Sequence, residues 1–523
     1  MPIGEIVVPL SGPPLAEPID VRNILARGLE AKPDEVALAS AEGGHTWREL
    51  DLASGRLAAN MLEIGVRKGD RVASLMPNRN ALIIHYLACF KARFVATPLN
   101  YRYMPPEIDH ALEVSEASIL LAHAERDEDL AASKLATRLP LGVIRYGARD
   151  GRSPSFEELT RRAPGQPEIP APSLSDPAVI FFTSGSTGKP KGVTHSFETL
   201  GWVLAAWLKG YDTTAHDVIL PGSSISHIGG YGHSLFGLAA GARVLVARTF
   251  DGDELLPLLR EHRPTILMML PAALIALVRD HEAKREDFSS VRLCLSGGDK
   301  VSAELEREFT DLAGFPIDEI YGMSEIGVSN LNPPSGINKL GSVGPANAGY
   351  ALSIRDDDGR ELPVGGEGRL WVRSPCNMVG YWNRPDATAE TIKDGWLDTG
   401  DVMRADEDGY LWFCGRKKQI IVHDGSNICP QEVEEALLEH DAVQDAGVVG
   451  IHDLVHGENV RAYITLKEGA KQPTSQELIR FARARIGYKA PEEIVVLDAM
   501  PLNATGKVDR VALKRMAEER ARS

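Results

Sequence analysis

No stretch of the chain runs to about 18 consecutive apolar residues, so no segment reads as a membrane-spanning helix. The start, "MPIGEIVVPLSGPPLAEP", lacks the basic cluster and sustained apolar core of a secretory leader. Cysteine is scarce: Cys89, Cys294, Cys376, Cys414 and Cys429 are scattered without a C-x-x-C pair. That excludes a zinc ribbon or a disulfide framework and reads as buried thiols in a reducing compartment. Basic residues are in deficit, 57 Lys and Arg against 73 Asp and Glu, for a formal net charge of −16 spread along the chain. Nucleic acid is thereby excluded as a partner, because neutralising phosphates takes a basic face. A small anion held by a few local cations is not excluded. The expectation is a soluble, cytoplasmic protein with no transmembrane segment.

What is present is ordinary globular composition, 43% hydrophobic and 25% charged, in 523 residues. That length exceeds one core and implies two or more domains. After a Pro-rich arm of about 18 residues, which the reading lays over the surface, helical and strand patterns alternate. "RLAANMLEIGV" has helical spacing, "DRVASLM" reads as a strand, and "ALIIHYLACFKA" as a buried helix. "RVLVA", "TILMML" and "VRLCLSGG" are further short apolar strands. This alternation predicts an α/β fold of helix-covered, mainly parallel sheets. Near residue 350 the texture changes to Asp-Gly turns between short strands, as in "LSIRDDDGREL" and "DEDGYLWFCGR", predicting a small β-rich subdomain over about 345–416. The segments after "GRKKQIIVHDG" give helix, two strands, helix and strand, a separate small α+β domain. The expected division is 1–416 for the large domain and 417–523 for the small one.

"FFTSGSTGKPKG", residues 181–192, follows the strand-like "AVIFF" and concentrates Ser, Thr, Gly and Lys as a phosphate cradle would. The P-loop template fails here. With Gly188 and Lys189 as its Gly-Lys pair, it requires Gly where the chain has Thr183 and Ser or Thr where it has Pro190. Pro190 donates no N–H, and it disfavours helical geometry at Lys189. A Ser/Gly surface turn is the alternative on local composition alone.

Further segments line up behind this loop: "SSISHIGG" (223–230), "SGGDK" (296–300), "YGMSE" (321–325), "GWLDTGD" (395–401), "GRKKQIIVHDGSNICPQEVE" (415–434) and "PLNATGKVDR" (501–510). In this order and spacing the chain resembles the acyl-adenylate-forming superfamily, most closely its fatty-acyl or aryl-type CoA ligases. The resemblance runs from "TWREL", near residue 46, to Arg510. It implies an AMP-forming acid–thiol ligase that uses ATP, Mg²⁺ and coenzyme A, with a mobile C-terminal lid domain. A carboxylate, already ionised at neutral pH, attacks the α-phosphorus, pyrophosphate leaves, and the CoA thiol then displaces AMP. Repulsion between substrate anions is the obstacle, so positioning and electrostatics carry catalysis.

By that resemblance Thr183, Ser184, Gly185, Ser186, Thr187, Gly188 and Lys191 hold the β- and γ-phosphates. Ser324 takes the α-phosphate, and Glu325, with Thr187, holds Mg²⁺; a helix N-terminal carboxylate is the plainer alternative for Glu325. Asp401 accepts the ribose hydroxyls with support from Arg416. Tyr321 presents its ring to adenine, with Gly322 and Met323 following it and Gly297, Gly298 and Asp299 along the other edge. Lys507 bridges the substrate carboxylate and the α-phosphate. Lys418 matches the family hinge but also fits an ordinary linker lysine, and Gly425 lines the pantetheine channel. His227 sits between acyl pocket and CoA tunnel, or is a hydrogen-bonded structural histidine. Gly230, Tyr231, Met323, Gly327 and Val328 form pocket walls for an apolar acyl or aryl acid. "HDGSNICP" departs from the family pattern at Ser426 and Cys429, and "SGGDK" at Asp299 and Lys300; neither departure removes a charged ligand of the ATP site. A homodimer, and a lysine acetyltransferase removing the charge of Lys507, complete the expected partners. The rivals are an adenylating enzyme that passes its acyl group to a carrier protein or amine, a phosphotransferase releasing ADP, and a non-catalytic nucleotide binder.

Overall fold

The structure is a computed structural model; it describes residues 10–148, 154–165, 171, 173–183, 190–250, 252–280, 283–298, 301–416, 419–423, 426–453, 457–503 and 506–522. Two large sheets form the first domain. One has eight strands in the order Gly327–Leu331, Asp318–Met323, Leu293–Ser296, Ile266–Met269, Val218–Gly222, Arg243–Val246, Val36–Ser40, Gly43–Thr46. The other has seven: Gly380–Tyr381, Lys191–Ser196, Pro177–Thr183, Val95–Pro98, Arg71–Leu75, Ile119–His123, Val143–Tyr146. Their interiors are parallel, as the alternating pattern predicts, while antiparallel strands close both ends of the first sheet and one end of the second.

Parallel strands covered on both faces need apolar residues at every position, and their side chains alternate between faces. Ile219, Ile266 and Leu293 accordingly join Val72, Ile119 and Val179 of the other sheet in one central core. Leu220, Leu267 and Cys294, one residue on, enter a second core on the outer face. Ala73, Leu120 and Ile180 do the same behind the seven-stranded sheet. Helices Asn80–Ala92 and Ile228–Ala240 lie in the central core and are buried along almost their whole length, which is why their sequences are apolar on all sides. Each fully buried Leu, Ile or Phe there contributes about 1.5–3 kcal/mol.

An antiparallel sheet of Ala351–Arg355, Glu367–Arg373, Trp396–Ala405, Ile392–Lys393 and Leu411–Arg416 follows. The "DEDG" turn is held by Asp406, whose Oδ1 accepts from the N–H of Asp408 and of Tyr410. The N-terminal arm is pinned to this sheet: the Gly12 N–H donates to the Tyr350 carbonyl, and Ser11 bridges Ala351. The small C-terminal domain has its own five-stranded sheet, in which Val443–Asp453 and Gly457–Leu466 form the long central hairpin. Helices Pro430–Leu438 and Ser475–Ile486 cover it around Val433, Val448, Val460, Ile464 and Leu478.

Candidate active site

A cleft of about 2490 Å³ opens where the strands of the large domain end, and residues 503 and 506–511 of the small domain line its other side. Open α/β sheets bind ligands at the carboxyl ends of their strands, and most of the described residues singled out in the sequence collect there. Gly297 and Gly298 follow strand Leu293–Ser296, and Gly298 has φ +81°. Tyr321, Gly322 and Met323 end strand Asp318–Met323, and Ser324 and Glu325 lie in the turn to Gly327–Leu331. Glu325 is therefore a hairpin-turn residue and not a helix N-terminal one. A Cβ on Gly322 would stand 2.2 Å from the Gly327 carbonyl oxygen, so this turn closes only around glycine.

Asp401 is the centre of the polar side. It faces Arg416 across the antiparallel pair, and Arg416 Nε donates to Oδ1 at 2.9 Å. The Tyr321 hydroxyl donates to Oδ2 at 2.7 Å. The carboxyl is almost wholly buried, and burial lifts it above the ordinary range against the pull of Arg416, of the Tyr321 hydroxyl and of Lys507. The Tyr321 ring stacks on Phe413 at 6.4 Å. Glu325 is buried, which raises its carboxyl; the Tyr381 hydroxyl donates to Oε1 at 2.9 Å, opposing that rise together with Arg416 and Lys191.

Thr183 and Lys191 are register partners on two antiparallel strands, and both line the cleft. The chain thus enters a strand at Lys191, directly after Pro190, in keeping with the proline argument against a helix. Lys191 Nζ lies 4.1 Å from the centre of the Tyr381 ring. Ser184, Gly185, Ser186, Thr187, Gly188, Asp299, Lys418 and Gly425 lie outside the described residues.

Lys507 reaches across from the small domain, its Nζ donating to the Gly298 carbonyl. It sits in a turn where the Gly506 N–H donates to the Asn503 carbonyl at 2.9 Å. His227 caps helix Ile228–Ala240 and lines the cleft; burial, helped by the charge of Lys507, holds its imidazole down at about 4, so it is neutral. Gly230, Gly327 and Val328 line the cleft as expected. Tyr231 does not: its ring is fully buried against Tyr86, Phe90 and Phe181, in the core. His233, two positions on, lines the cleft instead.

Sequence reasoning missed Tyr381, His195, Trp207 and His233. Tyr381, in "GYWNRP", connects Glu325 and Lys191. His195 fixes the Ser324 turn. Its Nε2 donates to the Ser324 carbonyl at 2.7 Å, since a carbonyl only accepts, and Nδ1 faces Thr199 Oγ1.

This arrangement can hold a sugar–phosphate ligand between the buried Asp401 carboxylate and the cleft-lining cations Lys191 and Lys507. The AMP-binding enzyme family matches residues 25–382, and the AMP-binding enzyme C-terminal domain matches residues 432–507. The chain belongs to that family. A feruloyl-CoA synthase of Amycolatopsis is 33% identical over 94% of this chain and 97% of its own length. A long-chain-fatty-acid–CoA ligase of Bacillus subtilis is 30% identical over 95% of this chain and 94% of its own. The anthranilate CoA ligase AuaEII, solved with anthranoyl-AMP, superposes with a TM-score of 0.89 at 26% identity, over 97% of this chain and 99% of that one. The large and small domains of this AMP-binding enzyme are those of an adenylate-forming fold. Among the described residues no helix is long and apolar enough to cross a membrane.

Proposed function

We propose that this AMP-binding enzyme activates a carboxylic acid with ATP, releasing pyrophosphate, and transfers the acyl group from the adenylate to coenzyme A. The observation that carries the reading is the convergence of Lys507 from the small domain with Asp401, Arg416, Tyr321 and Glu325 of the large one around a single cleft.

Asp401, as carboxylate, accepts both ribose hydroxyls, and Arg416 and Tyr321 hold it in place while the Tyr321 ring packs along adenine. Ser324, its turn tied down by His195, meets the α-phosphate. Lys507 draws the substrate carboxylate and the α-phosphate together and offsets their mutual repulsion as the new bond forms. The residues 183–191 segment, with Lys191 at its end, takes the pyrophosphate charge. Among the described residues no cluster of three metal-ligating side chains exists. One hard carboxylate, Glu325, does line the cleft, and Mg²⁺ is commonly bound by one or two carboxylates plus substrate phosphates. Glu325 fits such an ion, with Thr187 as the second residue that would hold it, and the ion would neutralise phosphate charge when bound. His227, neutral, divides the acid pocket from the thiol entry. We take 1–416 and 417–523 as the units that turn about Lys418 between the half-reactions, bringing Gly425 to the thiol path.

The test is release of pyrophosphate and AMP from ATP with Mg²⁺ across carboxylic acids from acetate through long fatty acids to benzoate and cinnamate, with and without coenzyme A. AMP formation that requires both an acid and coenzyme A supports the reading. Pyrophosphate without turnover of coenzyme A points to a carrier protein or amine as acceptor. Release of ADP instead of AMP overturns it.

A further inference from the structure

Three buried side chains that line the cleft, Trp207, His233 and Ser223, carry polar atoms with no hydrogen-bond partner, and the first two lie side by side. Trp207, on helix Phe197–Gly210, is 1% exposed and its Nε1–H is unpaired. His233, on helix Ile228–Ala240, is 0% exposed; its Nδ1–H donates to the Gly229 carbonyl at 2.6 Å, so Nε2 is a bare acceptor, and it too is unpaired. Both residues line the cleft beside Gly229, Gly230, Gly327 and Val328. Buried polar groups are paired in nearly all native structures, and each orphan costs about 1–3 kcal/mol. One donor and one acceptor left open together on a binding cleft are what a ligand would complete.

The geometry keeps them there. The two rings lie 4.7 Å apart centre to centre, and His233 also stacks on Tyr211 at 5.5 Å. A Cβ on Gly232 would come 2.3 Å from the indole, and one on Gly327 would stand 3.3 Å from Nε1 itself. Glycine at 232 lets the indole approach the helix, and glycine at 327 keeps a side chain away from its N–H. Burial holds the His233 imidazole at about 4, so it is neutral and offers no charge to a second carboxylate.

We propose that Trp207 and His233 select an acid whose far end is a flat ring bearing a hydroxyl group. The hydroxyl oxygen accepts from Trp207 Nε1–H, and its proton is donated to His233 Nε2. A carbonyl or ether at that place satisfies only the tryptophan, and an ammonium only the histidine. The walls, two aromatic rings and a run of glycines, suit a flat ring. This assignment rests on the acid-activating reading above.

The experiment is pyrophosphate release with matched pairs, para-hydroxycinnamate against cinnamate and para-hydroxybenzoate against benzoate, on the full chain and on Trp207→Phe and His233→Phe. The native chain should favour the hydroxylated member of the better pair by roughly 10- to 100-fold in kcat/KM, and each variant should cut that ratio several-fold. Because the ratio is read within one protein, partial misfolding of a variant cancels. Calorimetric binding of para-hydroxycinnamate and cinnamate in the presence of AMP gives the same ratio without turnover. A native chain that releases pyrophosphate equally well with unsubstituted rings, or better with alkyl acids, overturns the proposal and leaves the acid-activating reading standing. A ratio unchanged in both variants also overturns it. No pyrophosphate from any acid means that the acid-activating reading itself has failed.

Discussion

Replacing Tyr321 by Phe tests the centre of the nucleotide site with one atom. The ring that stacks on Phe413 stays, and only the hydroxyl that donates to Asp401 Oδ2 at 2.7 Å is lost. Burial has already raised the Asp401 carboxyl, and Arg416, Tyr321 and Lys507 are the groups that oppose the rise. Removing a hydrogen bond to a charged acceptor costs about 1.5–3 kcal/mol, and here the cost falls on the ionised form alone. The carboxyl therefore rises further, and protonated Asp401 no longer accepts two ribose hydroxyls. AMP affinity should fall as pH drops through the Asp401 titration, and in Tyr321→Phe it should begin to fall at higher pH. Between the two titrations the variant should bind AMP roughly 10- to 100-fold more weakly than the native chain, a factor of ten being about 1.4 kcal/mol. In mildly alkaline buffer, where both carboxyls are ionised, the two affinities should converge. The assay is calorimetric titration of AMP, without metal, from mildly acid to mildly alkaline buffer. Equal weakening at every pH would mean that the hydroxyl only supports packing, and no weakening anywhere would remove Asp401 from ribose binding.

Lys507→Ala should lower acid-dependent pyrophosphate–ATP exchange by on the order of 10²–10³, while thioester formation from a supplied acyl-adenylate falls far less; equal losses in both half-reactions would refute the assignment. His85, His195, His227 and His233 are each held at about 4 by burial, below the ordinary value of 6.5. The unfolded chain therefore binds more protons than the native one between about pH 4 and 6.5. Stability contributed by these residues is complete above that window and lost as pH falls through it, so the urea midpoint should drop steeply there and lie flat just above. Gly322→Ala should disrupt the Ser324–Glu325 turn, because its Cβ has only 2.2 Å to the Gly327 carbonyl oxygen; native ATP affinity in the variant would show that the hairpin can open at no cost.

Much of this was legible from sequence, for identifiable reasons. Short, partly β-branched apolar runs mark strands, and the strands at 71–75, 243–246, 266–269 and 293–296 stand where the runs predicted them. Asp401, Arg416, Glu325 and Lys507 sit in polar, glycine-punctuated segments whose composition does not suit a core. Tyr381, His195 and Trp207 carry no such mark. Each lies in a strand or helix where an aromatic or a lone histidine is usual, and only tertiary structure gives it a partner: Glu325 for Tyr381, the Ser324 carbonyl for His195, the cleft for Trp207.

The misplacement of Tyr231 has a sharper cause. Helix Ile228–Ala240 is glycine-rich and buried on nearly every side, so the usual clue, a polar face opposite an apolar one, is missing. Sequence then offers no way to tell which turn of the helix meets the ligand. Tyr231, the largest side chain near the motif, reads as a wall, and nothing in the sequence singles out His233. The structure reverses that order, because Tyr231 fills the space between Tyr86 and Phe181, where a bulky ring stabilises the core. His233 is left on the cleft with Nε2 unpaired. The Tyr231 hydroxyl on the same helix is also unpaired, but it lies in the core; an unpaired group on the cleft side is the physical reason to look for the substrate's own polar group beside it.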